Sequence, residues 1–291
     1  MGKERNKKLF KQYELNELLE FQSSFREFVN EMMIDISSLT NMISEVDNSN
    51  LKLLRDNLSE ISNALIKTQL ELDKIEGLEK TYIENMCNLI GSGIDNLWFI
   101  DEEILLNLLD LYSINEKFVF DEKFVIKYIN ENFDTYIEPI INSAIFSGQK
   151  SILDEAVRLY KCQNYSLVLF PLFASFDNLF TRWIKGKVEE YNNFDKIFVK
   201  ALGGKLRKIQ DKYHPIQTLN LDDSTRFTIA MAYPILFNPD PTEKERRLNR
   251  NSIMHGSHDY ESVTKEDCMK LFVLLRLALD AIKYEPIKLY H

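Results

Sequence analysis

The feature that most constrains the fold is an apolar repeat with steps of three and four residues along the first third of the chain. It runs through residues 9–46 at Leu15, Leu18, Phe25, Phe28, Met32, Ile36, Leu39, Ile43 and Val46. After the turn cluster Asp47–Asn50 it resumes at Leu51, Leu54, Leu58, Ile61, Leu65, Leu72, Ile75, Leu78, Tyr82 and Leu89. Such spacing places apolar side chains on one helical face. We predict a long antiparallel helical hairpin, with two ordinary bundle helices as the alternative.

The rest of the chain is also predicted to be helical. Only nine glycines and seven prolines occur among 291 residues, whereas β-sandwiches and barrels need frequent tight turns. The clearest internal break is Gly91-Ser92-Gly93, which we expect to end the second long helix. We predict an all-α protein with a helical N-terminal region, residues 1–148, and a helical C-terminal domain, residues 149–291. In the first region we also predict three shorter helices, Leu97–Tyr112, Phe118–Phe133 and Ile137–Phe146.

Charge and cysteine content exclude several classes of protein. The net charge is −9, so the chain as a whole is not a basic nucleic-acid coat. Cys87, Cys162 and Cys268 are far apart and form no CxxC pair, which excludes a zinc ribbon and a redox motif and favours free thiols. No apolar signal core follows the N-terminus, and the longest apolar run, Tyr165–Phe176, is too short to span a bilayer. We therefore expect a cytoplasmic location and no membrane segment.

A polar motif marks the end of one well-defined helix. The segment Leu248–Gly256 reads L-N-R-N-S-I-M-H-G. Upstream, Thr242 and Glu245 have the spacing of a capping box, so we predict one helix from Glu243 to about His255 that ends at a left-handed Gly256. Asn251 and His255 are four residues apart and share a helical face. Arg250 and His255 are five apart, roughly 140° around an ideal helix.

A carboxylate interrupts the most apolar helix, predicted over Tyr165–Glu190. Asp177 lies deep in this segment, and a buried carboxylate is costly unless it is paired. It is either an orienting partner for a basic residue or a residue of the solvated face beside Arg182.

The order and spacing of Arg250, Asn251 and His255, followed by glycine and a further apolar helix, resemble the Arg-x4-6-His signature of HEPN domains. The resemblance covers roughly Ser151–Tyr284 and leaves the N-terminal half unassigned. It implies a HEPN-like helical bundle. Members that retain the motif are typically metal-independent endoribonucleases of toxin–antitoxin, abortive-infection and CRISPR-associated systems, so the resemblance implies phage defence or toxicity here.

The motif residues suit cleavage of RNA by its own 2′-hydroxyl. A histidine near neutral pKa takes or gives the proton, and an arginine stabilises charge on the phosphoryl oxygens. Asn251 is expected to bond the phosphate or fix the His255 tautomer, with Asp177 and His258 as supporting residues. No cofactor is expected. His255 and His258 form H-x-x-H without a carboxylate at useful spacing, so no metal site is predicted.

RNA is the expected partner, and the resemblance implies a homodimer through the C-terminal domain. The segment Arg182–Lys212 has nine Lys and Arg against four Asp and Glu, as either an RNA-binding face or a solvated helix face. The candidate RNA-binding residues are Arg182, Lys185, Lys187, Lys205, Arg207, Lys208, Arg246 and Arg247. The N-terminal helices are candidates for binding a sensor or antitoxin. Two alternatives remain, a non-catalytic HEPN-type nucleotide- or partner-binding protein and a purely structural coiled-coil adaptor.

Overall fold

The computed structural model of the chain describes residues 24–42, 52–112, 116–184 and 221–284. In these ranges the regular elements are helices, and none of the described residues forms a strand, which confirms the all-α prediction there. The α-helices are α1 (24–42), α2 (Lys52–Asp95), α3 (Glu102–Leu109), α4 (Glu122–Ile141), α5 (Lys150–Lys161), α6 (Tyr165–Ile184), α7 (Leu221–Leu236), α8 (Glu243–Arg246), α9 (Arg250–Met254) and α10 (Lys265–Ala281).

The chain divides into two compact units, residues 1–84 and 85–291. This division differs from the predicted boundary at residue 148. The helices between residues 97 and 146 belong to the second unit because α4 packs against α10 and α5. Val125, Ile129 and Ile140 of α4 are buried, so their apolar face is already used by the C-terminal half of the chain.

In the first unit, the buried face of α1 follows the predicted stripe only in part. Ile36 is buried as expected, at 7% exposure. At the preceding heptad position, Val29 is 1% exposed, whereas the predicted Phe28 is 54% exposed. The turn at residues 47–50 lies outside the described residues, so the hairpin stays a prediction.

Helix α2 continues through Gly91-Ser92-Gly93 and ends at Asp95, so the prediction of a helix end at the two glycines is wrong. Gly93 serves close packing instead. A Cβ atom there would lie 3.2 Å from the backbone oxygen of Trp98 and 3.4 Å from the ring of Phe120. Just beyond the end of α2, Leu97 adopts a φ of 61°.

Helix α10 is the centre of the second unit. It packs against α4, α6 and α7, and α6 packs in turn against α5. Residues on all sides of α10 are buried, including Cys268, Met269, Phe272 and Leu275. This confirms that the final helix is a core helix.

One predicted helix of this unit is replaced by two elements. The prediction of a separate helix over Ile137–Phe146 is wrong, because α4 itself continues to Ile141 with Pro139 inside it. A 3₁₀-helix over Ala144–Gln149 follows and leads directly into α5.

Candidate functional site

Two short helices, Glu243–Arg246 and Arg250–Met254, replace the single helix predicted from Glu243 to His255. The capping box is confirmed, since the Thr242 hydroxyl accepts from the Glu245 amide and the Glu245 carboxylate accepts from the Thr242 amide. Helix α8 nevertheless ends at Arg246. The motif begins again as the five-residue helix α9, in which Arg250 is the first residue.

The break is caused by Asn249, which is fully buried. Its side-chain oxygen accepts a hydrogen bond from the amide of Ser252 at 3.0 Å and so caps α9. Its amide group donates to the backbone oxygen of Asn238 at 2.8 Å. An N-cap residue has extended rather than helical dihedrals, and Asn249 has φ −76° and ψ 117°. The cap therefore determines where α9 begins and so where the Arg250 side chain is placed.

The C-terminal end of α9 forms a Schellman motif. The amide of Ser257 donates to the oxygen of Ser252 at 3.0 Å, and the amide of Gly256 donates to that of Ile253 at 3.4 Å. Gly256 has a φ of 76°, which confirms the predicted left-handed glycine. His255 is the C-cap residue between helix and glycine.

Arg250 is held on one side by three groups. Its guanidinium lies 3.7 Å from the Asp177 carboxylate, 5.7 Å from the centre of the Phe237 ring and 3.5 Å from the side-chain oxygen of Asn251. The Arg250 side chain is 29% exposed. The arginine is thus anchored at the protein surface rather than enclosed.

Asp177 is a partner of the motif arginine, which decides between its two predicted roles. Its side chain is 25% exposed, and its second oxygen accepts from the Tyr233 hydroxyl at 3.4 Å. Burial raises the pKa of the Asp177 carboxyl, and the charge of Arg250 opposes that rise. Tyr233 in turn stacks on Phe237, with ring centres 4.1 Å apart and planes 3° apart. Residues of α6 and α7 therefore act together to hold the Asp177 carboxylate against Arg250.

Asn251 joins the start of α9 to the end of α7. Its amide group donates to the backbone oxygen of Phe237 at 3.2 Å, and its side-chain oxygen faces Arg250. In this arrangement Asn251 positions the arginine. A bond from Asn251 to the His255 ring, one of the two roles predicted for Asn251, is not among the hydrogen bonds of the described residues.

The two histidines have different surroundings. His255 is exposed. His258 is half-buried, and its ring stands edge-on to Tyr260 with 5.6 Å between the ring centres. His255 therefore faces solvent at the end of α9, whereas the orientation of the His258 ring is set by an aromatic neighbour.

Arg182 is wrong as a candidate RNA-binding residue. Its side chain is 1% exposed, and its guanidinium donates to the backbone oxygen of Ile145 at 3.3 Å and to the side-chain oxygen of Asn178 at 3.2 Å. The apolar face of α6 extends further than the sequence suggested, and it takes this arginine into the core.

The remaining candidate RNA-binding residues differ in how exposed and how free of ion pairs their charged groups are. Arg246 is exposed. Arg247 is 52% exposed and forms a 2.8 Å ion pair with the buried carboxylate of Asp267, which compensates its charge. Five further candidates lie outside the described residues, namely Lys185, Lys187, Lys205, Arg207 and Lys208.

Three residues of the site were not singled out from the sequence: Tyr233, Phe237 and Asn249. Tyr233 lies on α7 and Phe237 directly follows it, a four-residue spacing that predicts neighbouring rings but no contact with Arg250. Asn249 has a residue type favoured at an N-cap. That signal was present in the sequence, but the stronger capping box at Thr242 obscured it.

Within the described ranges, no group of three or more His, Cys, Asp and Glu side chains is placed to hold a metal ion. Cys87, Cys162 and Cys268 are free thiols. The helices of the same ranges include none with both the length and the apolar character needed to cross a bilayer.

Comparison with known proteins gives no match to a protein-family model, to a curated protein or to a solved structure.

Proposed function

We propose that the chain is a metal-independent endoribonuclease of the HEPN type that acts in phage defence or as a toxin. The observation that carries this proposal is the arrangement of its two central residues. Arg250 is fixed from behind by Asp177 and Phe237 but remains 29% exposed, and His255 is exposed at the other end of the same short helix. An anchored cation and a solvent-exposed imidazole suit phosphodiester chemistry.

The proposed reaction uses the RNA as its own nucleophile. The 2′-hydroxyl oxygen attacks the adjacent phosphorus, and His255 takes the hydroxyl proton as general base. The bond from phosphorus to the 5′-oxygen breaks, and the leaving oxygen takes a proton from water. The products are a 2′,3′-cyclic phosphate and a 5′-hydroxyl end. The attacking group belongs to the RNA, so no metal-bound water is required.

Arg250 is the proposed electrostatic group. As the 2′-oxygen attacks, negative charge accumulates on the non-bridging oxygens, and guanidinium N–H groups stabilise it. Asp177 and Asn251 hold the guanidinium from the protein side, which lowers the entropy cost of orienting it. In this proposal Asn251 is a positioning residue.

The geometry of α9 favours a site shared by two copies of the chain. Arg250 begins the helix and His255 follows its last residue, so the two side chains diverge by roughly 140°. We propose a homodimer through the C-terminal domain, in which Arg250 of one protomer acts with the partner's His255.

The proposal extends to the rest of the chain. The helices from residue 149 onward form a HEPN-like bundle, supported by the packing of α9 against the Asp177-bearing α6. The N-terminal helices form the hairpin predicted from their apolar repeat and bind a sensor or antitoxin. The protein acts in the cytoplasm, where its RNA substrate is found.

One observation favours a second candidate, a HEPN-type domain that binds a nucleotide or protein partner without cleaving RNA. Asp177 already provides a counter-ion for Arg250 at 3.7 Å. In a purely structural motif this pair would fasten α9 to α6. The exposed position of His255 argues for the nuclease, because a histidine with only a structural role belongs against its own chain.

The test is RNA cleavage in EDTA by the wild type and the variants Arg250→Ala and His255→Ala. Loss of either side chain is expected to lower the rate by about a hundredfold or more. Arg158→Ala is the matched control, since Arg158 is an exposed arginine of α5 paired with Glu155. Cleavage by all variants at the wild-type rate, or none by folded wild-type dimer, would contradict the proposal.

A further inference from the structure

The loop that follows the motif contains an aromatic cluster, which we define as His258, Tyr260 and Phe170. His258 stands edge-on to Tyr260, with ring centres 5.6 Å apart and planes at 74°. Tyr260 stacks on Phe170, with ring centres 5.9 Å apart and planes at 24°. All three side chains are half-buried, so each is supported on one side and open on another.

This cluster is attached to the motif helix itself. The hydroxyl of Tyr260 donates a hydrogen bond to the backbone oxygen of Ile253 in the last turn of α9. Asp259 accepts from the amide of Glu261 at 3.2 Å and so caps the 3₁₀-helix that contains Tyr260. These bonds fix the ring of Tyr260, and the ring of Tyr260 fixes that of His258, three residues after the exposed His255.

Helix α6 contacts both the aromatic cluster and the anchored Arg250. Phe170 and Asp177 are seven residues apart on α6, which is two helical turns and roughly 10 Å. Tyr260 packs on the first and Arg250 pairs with the second. One side of α6 thus contacts an aromatic ring near its start and the motif arginine two turns further along.

We propose that the exposed face of His258 is a stacking platform for a nucleobase of single-stranded RNA beside the scissile phosphate. Tyr260 and Phe170 are positioning residues that hold the His258 ring. This proposal rests on the proposed function in taking RNA as the ligand. Unpaired bases stack on aromatic and histidine rings, and this contact tolerates many sequences because every base has a π-face. A purine is preferred at this position because its larger ring overlaps more of the imidazole.

The stacking role differs from an acid–base role in the variants that it tolerates. A phenylalanine keeps a flat ring but cannot carry a proton. His258→Ala is therefore expected to lower kcat/KM about tenfold, in line with the loss of one stacked base, and His258→Phe is expected to recover most of that loss. Tyr260→Phe keeps an aromatic ring at residue 260 and loses only the hydrogen bond from its hydroxyl to Ile253. This variant therefore tests the hydrogen bond that holds the ring separately from the presence of the ring.

The experiment measures cleavage of two adenine-rich oligoribonucleotides by these variants. In one, an abasic sugar replaces the nucleotide on the 5′ side of the scissile phosphate, and in the other it replaces the nucleotide on the 3′ side. In the wild type and in His258→Phe, one of the two replacements is expected to lower kcat/KM about tenfold. In His258→Ala the same replacement has no further effect. Equal cleavage of intact and abasic RNA by the wild type overturns the platform, and so does a loss in His258→Phe as large as in His258→Ala.

Binding measurements separate this proposal from the nuclease proposal. Fluorescence anisotropy of the labelled oligonucleotide is measured with His255→Ala protein, with and without His258→Ala. A tenfold weaker affinity for the abasic RNA that disappears with His258→Ala supports the platform even if no cleavage is found, in which case the nuclease proposal alone fails. Equal affinities for intact and abasic RNA overturn the platform whatever the cleavage result.

Discussion

The ion pair between Arg250 and Asp177 is the contact on which the candidate site depends, and its strength is limited. The atoms are 3.7 Å apart, and both side chains remain about a quarter exposed, so water screens the attraction. The pair is therefore better suited to orienting the guanidinium than to stabilising the fold.

Asp177→Asn is expected to lower RNA cleavage by at least about tenfold while reducing the free energy of unfolding by less than about 1 kcal/mol. Urea denaturation and initial cleavage rates are the two measurements. A double-mutant cycle with Arg250→Met gives the coupling energy of the pair. Asp154→Asn, which removes a carboxylate from an exposed pair with Lys150, is the control. A coupling energy of several kcal/mol would show that the pair mainly stabilises the fold.

A second carboxylate makes stability depend on pH. Asp101 is 1% exposed, and burial raises the pKa of its carboxyl from 3.8 to about 7, against the opposing charge of Arg276. Asp280 raises it further, and the hydroxyl of Tyr136 donates to it. The folded chain therefore keeps a proton that the unfolded chain has lost at pH 5 to 7.

The contribution of Asp101 to stability is complete below pH 3.8 and is lost as the pH rises through about 7. We expect Asp101→Asn to reduce the fall in unfolding free energy between pH 5 and pH 7.5, measured by urea denaturation. Asparagine still caps α3, because its oxygen replaces the one that accepts from Ile104. Asp121→Asn, at the exposed cap of α4, is the control. Equal pH slopes for wild type and Asp101→Asn would refute this expectation.

At the scale of elements, the break between α8 and α9 determines where the motif begins. It depends on one buried side chain, Asn249, which caps α9 and bonds the oxygen of Asn238. Asn249→Ala is expected to lower the free energy of unfolding by about 2 kcal/mol, roughly half from the cap and half from the lost hydrogen bond to the Asn238 oxygen.

Asn249→Ser tests the two contributions separately. Serine retains a capping oxygen but does not reach Asn238, so the expected loss is about 1 kcal/mol smaller. Thermal and urea unfolding measure the effect, and Asp121→Ala at the exposed cap of α4 calibrates the loss of a cap alone. A loss for Asn249→Ala no larger than for Asp121→Ala would show that the break does not depend on Asn249.

Elements set by neighbouring residues could be predicted from the sequence. The capping box at Thr242, the left-handed Gly256 and the core helix α10 all follow from local spacing. The burial of Arg182 and the passage of α2 through Gly93 could not, since each depends on packing with residues distant in the chain. In the site itself, the motif residues were found by pattern, but the positioning of Arg250 by α6 and α7 required the tertiary structure.

At the scale of the whole molecule, the central question is whether one protomer contains a complete site. Mixing Arg250→Ala with His255→Ala protein answers it, provided that light scattering first shows a mass twice the 34.3 kDa of one chain. If each site combines arginine and histidine from different protomers, the mixture regains about a quarter of wild-type activity, because half of the dimers are mixed and each has one intact site.

A mixture that stays as inactive as its components would place both residues in the same protomer and refute the shared site. The control mixes the double variant Arg250→Ala/His255→Ala with each single variant, and these dimers have no route to an intact site.

The most direct test of the nuclease proposal is cleavage of a defined RNA that contains a single 2′-deoxynucleotide at the position cut in the unmodified strand. The proposal predicts that the substitution abolishes cleavage at that bond in the presence of EDTA, and that the unmodified RNA yields a 2′,3′-cyclic phosphate and a 5′-hydroxyl end. Cleavage of the deoxy-substituted bond at the normal rate, or products with a 5′-phosphate, would contradict it.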